Sequence, residues 1–127
     1  YQKIDMDIDF TNAKGEEIHL IFKGDLTAAK ATTMSKKFKA YEAECDVKND
    51  EITEHNKSVL DKEKNKTGLL KAKEPITHME ILATEMNMFY PDRSKEFFMD
   101  NADPVTLQSM ITYLARSMAG LKKKEEN

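Results

Sequence analysis

The residues able to do chemistry are few and scattered. His19, His55 and His78 fall on three separate segments, and Cys45 is the single cysteine. His78 and Glu85 share a predicted helix, but seven residues is not the one-turn spacing with which a helix offers two ligands to zinc. The segments starting at Asp46 and Asp100 lack the glycine and terminal glutamate of a calcium loop. The four glycines are isolated from one another, so there is no glycine-rich phosphate cradle. Asp5, Asp7 and Asp9 alternate along one strand, and alternate positions on a strand do not enclose a cation. Nothing in the spacing marks a serine or cysteine nucleophile with its base. The expectation is a protein that is not an enzyme and carries no metal and no cofactor. Cys45 reads as a small buried apolar residue, and a single thiol fits a reducing cytoplasm.

The chemistry that remains is adaptable apolar contact. The chain has eight methionines and no tryptophan. Methionine is flexible and polarisable, so a surface rich in it can repack against varied partners. Such residues are densest in the C-terminal half, where Met86, Phe89, Phe97, Phe98, Leu107, Met110, Leu114 and Met118 are the candidate contacts for a helical client. The same stripes would serve equally well as the core.

The elements that must position these residues follow from period and punctuation. Ile4, Met6, Ile8 and Phe10 alternate with aspartates, and Ile18, Leu20 and Phe22 alternate again after the Thr11–Gly15 turn, which predicts a β-hairpin within residues 1–24. Lys23-Gly24-Asp25 turns into a first helix, residues 25–46, capped by Asp25 or Thr27. Ala31, Met34, Phe38, Tyr41 and Cys45 form its narrow stripe. Residues 47–75 are expected to be a charged loop or weak helix, partly mobile. From Asp46 to Pro75, seven acidic and seven basic residues balance, and apolar residues are sparse. The best-specified helix runs from Ile76 to Phe89. Thr77 and Glu80 make a capping box, Ile76 and Ile81 a hydrophobic staple, and Tyr90-Pro91 ends it. A short helix is expected over Asp92–Met99. Asp103-Pro104 opens a last helix that Gly120 is placed to end, so that helices occupy residues 76–121 and a solvated tail residues 122–127. The fold class is mainly α with an N-terminal β-hairpin (α+β), a single small helical domain.

Composition bounds the partners. A length of 127 residues suits one domain, and 34% charged residues give a wet surface. A net charge of −3 offers no electrostatic reason to expect nucleic acid or an anionic membrane. No apolar run approaches a membrane span, and no signal peptide is visible. Lys30, Lys36, Lys37 and Lys39 cluster on the first helix and read as a solvated face, with a nucleic-acid-binding regulator as the less favoured alternative. Three helical stripes and a hairpin face exceed what a small core is expected to enclose, which predicts a homo-oligomer.

In outline the whole chain resembles the small tail-assembly chaperones of long-tailed bacteriophages. The likeness rests on the hairpin (Ile4–Phe22), the Lys23-Gly24-Asp25 turn into a helix, the charged middle, and the Met-rich helices around Tyr90-Pro91 and Phe97-Phe98. It implies a non-catalytic protein of the host cytoplasm, absent from the mature virion, that keeps the hydrophobic, helix-forming tape-measure protein soluble during tail assembly. An interaction adaptor or a structural connector is the alternative reading.

Overall fold

The computed structural model describes residues 5–126. Its architecture is mainly α with an N-terminal two-stranded antiparallel hairpin, the class that the sequence predicts. Strand β1 (Ile8–Thr11) pairs with β2 (Glu17–Leu20) in the register Ile8 to Leu20 and Phe10 to Ile18 on the core face. Asp9 faces His19 on the other side, with His19 Nδ1 2.7 Å from the Asp9 carboxylate. The turn is built by Asn12, whose side-chain oxygen accepts the N–H groups of Lys14 and Glu16. Gly15 supplies the positive φ of 81° that the turn requires. The strand is shorter than the alternation predicts. Beyond Ile8 the ladder is continued by a side chain, as the Asp7 carboxylate accepts the Phe22 N–H at 2.9 Å. Ile4 lies outside the described residues.

Helix α1 (Ala28–Leu60) has 33 residues, about 50 Å at 1.5 Å per residue. Thr27, not Asp25, caps it, accepting the Lys30 N–H at 3.2 Å. The expected end near residue 46 is wrong: the helix runs on to Leu60, and residues 61–77 fold back along it. Nothing between residues 28 and 60 stops a helix, since that span has neither glycine nor proline. Cys45 is the last buried residue of α1, so its second half leaves the core.

That second half is held mostly by polar bonds. Asn49 pairs with both backbone groups of Ile76, donating to its carbonyl at 3.0 Å and accepting its N–H at 2.8 Å. Asn56, two turns on, makes the same pair with Lys73 at 3.0 and 2.9 Å. His55 donates to the Lys71 carbonyl, two residues before Lys73. A side-chain amide carries the donor and acceptor of a peptide group, so each asparagine replaces one rung of a β-ladder.

Helix α2 (His78–Phe89) begins as the sequence predicts, with Thr77 accepting the Glu80 N–H at 3.1 Å. Helix α3 (Lys95–Asn101) starts later than the expected Asp92, because Ser94 is its cap and takes the Phe97 N–H. Lys95 reaches Glu80 at 3.3 Å, tying α3 to the start of α2. Helix α4 (Pro104–Glu126) opens on Asp103, whose carboxylate accepts the Thr106 N–H at 2.7 Å. Gly120 does not end it, and the backbone stays helical through Glu126, within the expected tail. Glycine costs a helix about 1 kcal/mol, and the lysines and glutamates that follow are good helix formers. Asn127 lies outside the described residues.

The core is organised around α2. Leu82, Ala83, Met86, Phe89 and the following Tyr90 are buried against Met6 and Leu20 of the hairpin, Phe98 of α3, and Leu107, Met110, Leu114 and Met118 of α4. Two hydroxyls pin the N-terminal strand to the helices: Tyr90 donates to the Met6 carbonyl and Tyr113 to that of Asp5.

Candidate functional site

The eight residues expected to contact a client do not form a surface. Met86, Phe89, Phe98, Leu107, Met110, Leu114 and Met118 are each at most 5% exposed and belong to one continuous core. Phe97 is half-buried, edge-on to Phe98 at 5.5 Å and covered by the Arg93 guanidinium at 4.5 Å. The expectation is corrected for a physical reason. A helical stripe shows which residues share a face, not what the face meets, and here the α2 and α4 stripes meet each other. The α2 and α4 stripes are therefore not the surface through which the expected self-association would run.

An apolar groove lies elsewhere, where three segments converge. Phe22 follows β2, Met34 and Phe38 stand on α1, and Met88, Phe89 and Pro91 come from the end of α2. The groove is open to solvent and encloses about 500 Å³. Its floor is aromatic: Phe38 meets Phe89 edge-on at 5.1 Å, and Phe22 lies 6.4 Å from Phe89. Met34, Phe38 and Met88 are half-buried, so one side of each is already desolvated by the fold and the other faces the groove.

Its rim is basic. Lys23, Lys30 and Lys37 border the apolar floor. Lys23 is paired with Asp92 at 2.8 Å. Among the described residues, Lys30 and Lys37 have no carboxylate within ion-pair distance. From Ala28 to Tyr41, α1 carries four lysines and no acidic residue. The sequence signal for this groove is Met34 and Phe38 one turn apart, flanked by Lys30 and Lys37 two turns apart. It is obscured because Phe22 and Pro91 come from distant segments.

A second cluster lies where α2 faces α1. Glu85 is 2% exposed, and burial, followed by hydrogen bonding and repulsion from Glu42, pushes its carboxyl up to about 8. A carboxyl so placed favours its protonated form, in which it can donate to Glu42. Tyr41 and Cys45 lie on the same stretch of α1, and Cys45 is buried as expected. Burial raises the Tyr41 phenol as well. His78, paired with Glu85 in the sequence reading, instead turns to Gln108 at 3.2 Å. Among the described residues, no group of three or more His, Cys, Asp or Glu side chains is placed to hold a metal ion.

Comparison with known protein families, with curated proteins and with solved structures finds no match for this chain. The functional reading therefore rests on the groove and on the chemistry of its walls. No helix among the described residues is long and apolar enough to cross a membrane.

Proposed function

We propose that this protein is a non-catalytic chaperone of the phage tail-assembly type, which holds a hydrophobic helical client, the tape-measure protein, soluble in the host cytoplasm and is left out of the finished virion. The observation that supports this reading is the open groove of Phe22, Met34, Phe38 and Met88 between the hairpin, α1 and α2. Helix-in-groove capture needs an apolar channel that takes one face of a helix. Flexible methionine walls let one channel accept successive segments of a long client. Self-association is part of the same proposal, although the α2 and α4 stripes are not its surface.

The test is co-expression of the tape-measure protein with the wild-type chain or with Met34→Glu. Met34 is half-buried on the groove wall, so a glutamate there can reach solvent while placing a charge in the channel. The expected result is a variant that keeps its melting temperature and fails to keep the client soluble. A client that remains soluble with Met34→Glu, or that never depends on the protein, refutes the reading. A chain that stays in the finished particle at fixed stoichiometry would make it a structural connector.

A further inference from the structure

We propose that the helix taken by the groove is acidic along one edge, with carboxylates two turns apart that meet Lys30 and Lys37. This rests on the groove being the client site, and it adds the chemistry of the partner.

The first ground is geometric. Lys30 and Lys37 are seven residues apart on α1, about 10.5 Å along its axis, and both border the same apolar floor. A helix lying along α1 with its apolar face on Met34 and Phe38 brings residues seven apart on its own flank to the same spacing.

The second ground is that these charges are misplaced for the fold itself. A helix start favours acidic residues and disfavours basic ones, because its unpaired N–H groups carry partial positive charge. Helix α1 has no acidic residue in its first turn. Lys30 is the third residue of α1 and follows the cap Thr27, the position where a glutamate would close a capping box. The same protein uses that glutamate in α2, where Glu80 stands three residues after Thr77. Lysine at the equivalent place in α1 works against the helix, and among the described residues neither Lys30 nor Lys37 is compensated by a neighbouring carboxylate. A local rule broken without a compensating contact is the mark of a residue kept for a partner. An acidic helix supplies both missing elements, the counter-charge and the apolar cover.

The experiment is a fluorescence-anisotropy titration of the full chain with three synthetic helical peptides of about five turns. All three share one Leu/Met stripe and differ only at two flanking positions seven apart, which carry Glu, Gln or Lys. Two exposed ion pairs predict that the Glu peptide binds roughly threefold to tenfold more tightly than the Gln peptide at low salt, with the Lys peptide weakest. The order should reverse for Lys30→Glu/Lys37→Glu, and the Glu preference of the wild-type chain should fade as salt rises. Because glutamate at position 30 suits a helix start, loss of binding in that variant is not loss of folding. Equal binding of all three peptides overturns the acidic edge and leaves the groove reading standing. Binding of none overturns the groove reading itself. Two other outcomes overturn the proposal by naming a different occupant. One is displacement of the peptides by dodecanoate, an anionic amphiphile, or by random DNA. The other is concentration-dependent self-association that the double variant abolishes, which makes the occupant a second copy.

Discussion

Replacing Lys30 by glutamate should make the protein more stable and a poorer binder at once. The site is defined by the hydrogen bond from the Lys30 N–H to the Thr27 hydroxyl at 3.2 Å. Removing a cation from a helix start relieves roughly 0.3–1 kcal/mol, and placing an anion there gains a similar amount. A glutamate can also accept the Thr27 N–H, as in a capping box, and a net hydrogen bond contributes about 0.5–1.5 kcal/mol. These terms overlap, because all act on the same unpaired N–H groups, so about 1–2 kcal/mol is expected. For a chain of 127 residues, an unfolding entropy of about 2.1 cal/mol/K per residue gives near 270 cal/mol/K, so each kcal/mol moves the melting temperature by about 4 °C.

The assay is thermal unfolding by circular dichroism at low and high salt, with Lys30→Ala as the control. Alanine removes the cation without adding the acceptor, so it should gain less than glutamate. The charge-dependent part should shrink with salt, and the capping bond should persist. A melting temperature for Lys30→Glu at or below that of the wild-type chain at low salt would refute the claim that Lys30 is misplaced. In that case the ammonium is making a stabilising contact in the Lys23-Gly24-Asp25 turn. A Cβ at Gly24 would lie 3.2 Å from it.

Met110→Ala and Met118→Ala should each cost on the order of 2–5 kcal/mol in urea unfolding, because both side chains are 5% exposed in a packed core; a negligible loss would return them to the surface. Asn56→Ala removes both bonds to Lys73, so hydrogen exchange should speed up around residues 71–76 while α2 and α4 keep their protection. Protection unchanged there would show that the asparagine clamp is incidental. Glu85 holds its proton far above the ordinary carboxylate value of 4.5, so the folded chain binds more protons than the unfolded one between there and about 8. Its contribution is therefore fully present below the unfolded value and is lost as pH rises through the folded one, by roughly 3–5 kcal/mol. Urea midpoints of the wild-type chain should fall across that window and those of Glu85→Gln should fall less, and parallel profiles would remove Glu85 as the cause.

Local punctuation was the most legible part of the chain. Thr77 with Glu80, Asp103-Pro104 and Tyr90-Pro91 mark helix ends through bonds and clashes that involve residues a few positions apart. The hairpin is legible for the same reason, since its alternation is set by the two-residue period of a strand. The length of α1 was not, because its second half looks too polar to be stable alone. It is not alone: Asn49 and Asn56 bind backbone 27 and 17 residues away, and nothing in an isolated asparagine tells such a clamp from a turn. The candidate site failed in the same way. Periodicity found the Met86 and Met110 faces and could not tell that they bury one another. Of the groove only Phe89 was among the candidate contacts; the rest was missed because its walls come from three segments and are joined only in space.

The methionine content then divides by place, and the division bears on what the groove can do. Met6, Met86, Met110 and Met118 are buried, none more than 5% exposed. In a close-packed interior their flexibility fills gaps and offers nothing to a partner, since moving one leaves a cavity. Met34 and Met88 are different. Each is packed on one side and open to the groove on the other, so it can change rotamer without opening a void in the core. Rings set edge-on at Phe38 and Phe89 fix the floor between them. A rigid aromatic floor with two adjustable walls holds any apolar ridge of suitable width and reads little of its side-chain detail. On the proposed reading, selectivity would then come from the rim, where Lys30 and Lys37 have no counter-charge among the described residues. The buried methionines make the fold, Met34 and Met88 on the groove wall would accept the partner, and the lysines would choose it.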